Sequence, residues 1–143
     1  MVPAKAVVIS PRPYTDIKAG DISHVYSELA LKITNQVVAS GKPYLPKGTS
    51  LNVNFPVTSA GCTSASGFKF VFSTIYPQIL PLFPVLKCTD GTATPAESDV
   101  ITTGCTVSIS VMNVLKLDVD AETQGAVFNK LKPLLTCMSG TKA

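Results

Sequence analysis

The order of three segments near the start of the chain constrains its fold more than any other feature. Lys5 to Ser10, KAVVIS, is a β-branched run closed off by Pro11 and Pro13. A short apolar run without alternation suits a strand buried on both faces, as parallel sheets require. Next, Ile22, Val25, Tyr26, Leu29, Ile33 and Val37 recur at the spacing of one helical face. Asp16 or Asp21 is placed to cap the start of that helix, and Gly41 followed by Pro43 ends it. Then Leu51, Val53 and Phe55 alternate with Asn52 and Asn54, and the run stops at Pro56, which has no N–H for a ladder. Strand, helix, strand in this order predicts a βαβ unit with a right-handed crossover, and with it an α/β architecture.

The remainder extends that plan. FKFVFSTI sets Phe68, Phe70 and Phe72 on one face of a further strand. From Thr106 to Val111, Val107, Ile109 and Val111 alternate strictly with Thr106, Ser108 and Ser110. Ala121 to Leu131 reads as a helix capped by Asp120, with Val127, Leu131 and Leu134 facing inward, ending near Pro133. VTSAGCTSASG and TDGTATPAESD read as small-residue loops.

Length and composition narrow the class. At 143 residues the chain suits one domain with a real core, and 45% hydrophobic against 15% charged residues excludes a disordered tail. The net charge of +3 comes from scattered lysines without interleaved aromatics, so no nucleic-acid polymer is an expected partner. Mean hydropathy is positive, yet the most apolar stretch, IYPQILPLFPVLKC, is broken by Pro77, Pro81 and Pro84 and cannot span a membrane as a helix. MVPAKAVVIS, with a lysine inside its apolar run and no small-residue cleavage site, is not a signal peptide.

The chemistry-bearing residues are few. Cys62, Cys88, Cys105 and Cys137 form no CxxC pair and lie far along the chain from the single histidine, His24, which argues against zinc. Dispersed and even in number, they read as disulfides of an oxidising compartment. Of the three possible connectivities, Cys62–Cys88 with Cys105–Cys137 is preferred. The first would clip the loops at both ends of the Phe68 strand, and the second would pin the tail to the alternating strand. Asp118 and Asp120 form a D-x-D beside a helix start, where carboxylates favour the helix dipole. His24 has no evident acid–base partner, and GKPYLPKGTS lacks the spacing of a P-loop.

Three segments in order resemble the SurE-like family. VPAKAVVIS at Val2 to Ser10 is similar to its GIPAIAFS strand, LPKGTSLNVNFP at Leu45 to Pro56 to its LP.G..LNVNVP segment, and SDVITTGCTVSISV at Ser98 to Val111 to its TDV.AL..GYVSITPL segment. The cysteines and PLLTC at Pro133 to Cys137 look most like the secreted fungal branch. The resemblance implies that residues 1–143 are the C-terminal portion of a doubly wound, Rossmann-like SurE fold with a β-hairpin extension and a C-terminal helix. It implies metal-dependent hydrolysis of phosphomonoesters, nucleotides among them, in the complete protein. It also implies a homo-oligomer and secretion.

In that family a divalent metal, Mg²⁺ or Mn²⁺, is held by an Asp-Asp pair, a serine and an asparagine of the N-terminal half. Those positions are expected ahead of Met1, so neither metal-ligating nor catalytic residues are expected in this chain, and the chain alone is expected to be inactive. Ser10 and Asn54 fall at the ends of expected parallel strands and, with Asn52 from the same strand face, could border the crevice in the complete protein, since ligands of doubly wound sheets bind beyond the carboxyl ends of strands. The bland alternative for the asparagines is that they satisfy backbone groups crossing the sheet end. The alternative for the whole chain is a small secreted, disulfide-stapled binding or structural protein without catalysis.

Overall fold

A computed structural model describes residues 7–9, 22–56, 61–77, 86–113, 115 and 119–143. The first three elements are β1 (Val7–Ile9), α1 (Ile22–Ala39) and β2 (Thr49–Asn54). β1 and β2 pair in parallel, Val7 with Asn52 and Ile9 with Asn54, as the strand–helix–strand order predicts. The remaining elements are a 3-10 turn at Ala65–Gly67, β3 (Lys69–Ser73), α2 (Glu97–Ile101), β4 (Thr106–Asn113) and α3 (Ala121–Leu131). The four strands form one mixed sheet in the order β1-β2-β4-β3. β4 runs antiparallel to β2 and parallel to β3. The chain is thus a mixed α/β protein.

Alternation along each strand divides the sheet into two faces of different chemistry. Leu51, Val53, Phe70, Phe72, Val107, Ile109 and Val111 join one buried core with Leu29 and Ile33 of α1 and Val127, Phe128 and Leu131 of α3. Both long helices therefore pack on the same face. Val25, Tyr26 and Val37 pack against that core as partly buried residues, the periodic stripe expected of α1. Leu29, Leu131 and Leu135 are fully buried, each worth roughly 1.5–3 kcal/mol of transfer free energy. Phe72 meets Phe128 edge-on at 5.5 Å between ring centroids. Tyr26 stacks on Phe55 at 5.3 Å and donates its hydroxyl to the Pro56 carbonyl at 2.8 Å, which fixes α1 over the end of β2.

Helix ends follow local chemistry. α1 stops where Gly41 adopts φ +80°, a left-handed value that favours glycine. The proposed caps Asp16 and Asp21 lie outside the described residues, as does Asp118. Asp120 caps α3 as expected, its Oδ1 accepting the Thr123 N–H at 2.7 Å. That bond holds the Asp120 carboxyl below the usual aspartate range. Leu134, expected to face inward, is only half-buried, and the next residue, Leu135, fills the core instead. α3 ends at Leu131 and tighter turns follow, Leu134 N–H donating to the Leu131 carbonyl and Leu135 N–H to the Lys132 carbonyl, so the 3.6-residue period no longer applies there.

Two further expectations need correction. TDGTATPAESD is not wholly a loop, because it leads into α2 at Glu97, a five-residue helix too short to show a period. The disulfides are Cys62–Cys105 and Cys88–Cys137, not Cys62–Cys88 with Cys105–Cys137. The reason is register: Lys69 N–H donates to the Cys105 carbonyl at 2.9 Å, so parallel pairing brings the start of β4 to the start of β3, close to Cys62. Thr136 N–H meanwhile donates to the Phe70 carbonyl, which carries Cys137 along the outer side of β3 toward Cys88. Two disulfides suit an oxidising compartment. No helix among the described residues is long and apolar enough to cross a membrane.

Candidate functional site

The second face of the sheet is polar, and it is buried. Alternation puts Ser50, Asn52 and Asn54 of β2, Ser108 and Ser110 of β4, and Ser73 of β3 on the side opposite the helical core. Register turns them into two rows across the sheet: Asn52, Ser110 and Ser73 lie abreast, and beside them Asn54, Ser108 and Val71. A one-sided antiparallel strand ordinarily turns such residues to water. Here Ser108 and Ser110 are fully buried and Asn52 is 9% exposed, because α2 packs over this face with Val100 inserted and Glu97 turned toward the sheet.

Glu97 organises the face. One carboxylate oxygen, Oε2, accepts from Asn52 Nδ2 at 2.8 Å, Asn54 Nδ2 at 3.1 Å and Ser110 Oγ at 3.2 Å. Asn54 Nδ2 also donates to Ser108 Oγ at 3.2 Å, and the Ser73 and Ser110 hydroxyls bond each other at 2.7 Å. The Glu97 N–H donates to the Thr74 carbonyl, which anchors the first turn of α2 to the end of β3. Charge-assisted bonds onto a carboxylate are stronger than neutral ones, and the converging donors hold Glu97 in place.

Asn52 and Asn54 thus come together, as the shared strand face requires. The bland expectation for them fails in detail, since they serve a carboxylate and not crossing backbone. Ser10 lies outside the described residues. Glu97 was missed by sequence reasoning because it stands 43 residues from Asn54 with no motif linking them; only the doubled Asn/Ser alternation of β2 and β4 pointed to a polar layer. His24 is exposed on α1, with no hydrogen bond or ion pair among the described residues.

This arrangement does not fit a hard divalent cation. Its donors point at one anionic oxygen, Glu97 is the single carboxylate that the sheet side chains meet among the described residues, and hard cations need convergent oxygen ligands. Nor does the other grouping of ligating atoms, Cys88, Asp90 and Cys137, since its two sulfurs are bonded to each other and offer no thiolate. Asp90 is occupied as well. The Ser139 hydroxyl and the hydroxyl and N–H of Thr92 donate to it, and these bonds hold its carboxyl below the usual range. A cavity of about 160 Å³ opens elsewhere, at the start of β3 and β4, lined by Lys69, Val71, Thr103, Thr106, Cys137 and Met138. It does not coincide with the Glu97 network.

No family model matches the chain, and no curated protein or solved structure does either.

Proposed function

We propose that this chain is the scaffold portion of a SurE-like, secreted phosphomonoesterase whose metal ligands belong to other residues of the complete protein. The observation that carries this reading is the parallel β1–α1–β2 unit ending in Asn52-Val53-Asn54-Phe55-Pro56, with both amides held on Glu97. In a doubly wound fold such a strand end faces the crevice where substrate sits. The chain supplies the crevice with a rigid polar border and the fold with its sheet, disulfides and oligomerisation surface. The divalent metal would supply charge neutralisation at the phosphoryl group, and the substrate would be a phosphomonoester or nucleotide.

The test is phosphomonoester hydrolysis by the purified chain with Mg²⁺ or Mn²⁺ and with chelator, alongside circular dichroism. A folded chain without turnover is the expected result. Metal-dependent turnover that tracks the protein would overturn the scaffold assignment. Coding sequence upstream of Met1 supplies the second arm: an Asp-Asp pair after a strand supports the phosphatase, and a signal peptide joined directly to Val2 opposes it.

A second reading is a disulfide-stapled binding or structural protein without catalysis. One observation favours it. Every buried side-chain nitrogen and oxygen among the described residues already has a hydrogen-bond partner, so no orphan donor waits for a phosphate.

A further inference from the structure

The polar rows of the sheet continue one step past the Glu97 network. Beyond the row of Asn54, Ser108 and Val71, register sets Lys69 of β3 beside Thr106 of β4 on the same face. Because β4 runs antiparallel to β2, its start lies at the end of the sheet where β1 and β2 finish. α2 stops at Ile101, the chain turns back through Thr103 into β4, and here the cavity of about 160 Å³ opens.

Its walls are of two kinds. Val71, Met138 and one cysteine from each disulfide, Cys105 and Cys137, are apolar, while Lys69, Thr103 and Thr106 are polar. Lys69 is exposed and has no ion-pair partner among the described residues. A Cβ added at Gly140 would lie 3.2 Å from Lys69 Nζ, so the ammonium rests against the turn that carries Met138, closed by the Gly140 N–H on the Cys137 carbonyl. The threonine hydroxyls have no proton to offer, since Thr103 donates to the Asp99 carbonyl at 2.8 Å and Thr106 to the Thr103 carbonyl. Lys69 is therefore the one side chain of the lining with hydrogen-bond donors to spare.

We propose that this cavity binds a small organic carboxylate, its charged end on Lys69 Nζ and its apolar body against Val71, Met138 and Cys137. One ammonium matches one carboxylate, and the bond between them is charge-assisted. A phosphate, with more acceptor oxygens and a second charge, needs several donors, and the threonines supply none. The volume sets the size of the body: an apolar cavity of about 150 Å³ accepts benzene, and this one is comparable. It is too small for a drug-sized ligand or a nucleotide. The site calls for neither metal nor turnover, so it stands apart from the phosphomonoesterase reading.

The test is titration of the full chain with benzoate, followed through the methyl NMR signals of Met138 and Val71, with benzyl alcohol and inorganic phosphate in parallel. Circular dichroism confirms the fold. The expected result is saturable movement of both methyl signals with benzoate, and binding weaker by about tenfold or more for benzyl alcohol and for phosphate, the worth of one charge-assisted bond. Lys69→Met keeps the stem, removes the charge and should weaken benzoate by the same factor, whereas Lys69→Arg should retain most of the affinity. Benzoate that leaves the Met138 methyl unmoved overturns the proposal, as does unchanged benzoate affinity in folded Lys69→Met. The comparison of benzoate with benzyl alcohol reads the same charge in the unaltered chain, and equal affinity for the two overturns it as well. Phosphate binding as tightly as benzoate refutes the carboxylate assignment.

Discussion

Replacing Glu97 by alanine removes the one acceptor on which Asn52, Asn54 and Ser110 converge, and the three do not lose equally. Asn52 Nδ2 has no other acceptor among the described residues, and the residue is 9% exposed, so it bears the full cost of a stranded buried donor, about 1–3 kcal/mol. Asn54 keeps Ser108 and Ser110 keeps Ser73, so each forfeits only the net worth of one long bond, about 0.5 kcal/mol or a little more. Together these give about 2–4 kcal/mol, with water entering beside half-exposed α2 moving the value toward the lower end. At a urea dependence of about 2 kcal/mol per M, the midpoint of unfolding should fall by about 1–2 M. Glu97→Gln keeps an acceptor oxygen and should lose less than half as much. Glu28→Ala, which breaks an exposed pair with Lys32 at 3.8 Å, serves as control and should stay within about 0.5 kcal/mol of wild type. Were Glu97→Ala to do no more than that control, the polar face would be an incidental, solvated surface and the network would hold nothing in place.

Other outcomes follow from the same geometry. The C62S/C105S variant releases a loop of 43 residues and should lose about 4 kcal/mol by chain-entropy reckoning, visible as a lower urea midpoint. Leu131→Ala, at a fully buried site between α3 and the sheet, should cost about 2–5 kcal/mol, read in the same titration. Acid should act through Asp90 and Asp120, whose folded values lie below the usual aspartate value of about 3.9. The stability they add is fully present above that value and is lost as pH falls through the lowered folded values, so midpoints measured from pH 7 downward should hold near neutrality and drop in strong acid. Asp90→Asn and Asp120→Asn should each flatten that acid limb.

Much of the fold could be read from periodicity because the two faces of the sheet differ so sharply. The stripe of α1, the inward phenylalanines, the alternation of β4 and the Asp120 cap are each local patterns in which a residue's neighbours along the chain decide its environment. The disulfide pairing is not local. It depends on β3 and β4 running parallel in register and on the tail lying along β3, and neither fact leaves a trace in cysteine spacing. Sequence distance favours clipping the loops around one strand, and the register of β3 with β4 overrides it.

The polar layer shows why a pattern can be read correctly and its meaning still missed. Asn52, Asn54, Ser108 and Ser110 alternate as residues facing water do, and a period of two cannot distinguish a wet face from a buried one. What decides is the cover, and here the cover is a five-residue helix. Once α2 lies on the sheet, its first residue must either point away or bring a partner for the amides and hydroxyls below. Glu97 brings one oxygen that serves three donors. A lysine at that position would set a donor against donors, and a leucine would leave Asn52 stranded. The glutamate at the start of α2 and the asparagines of β2 are thus one feature written in two places, and the demand each makes on the other is met only where the strands pair.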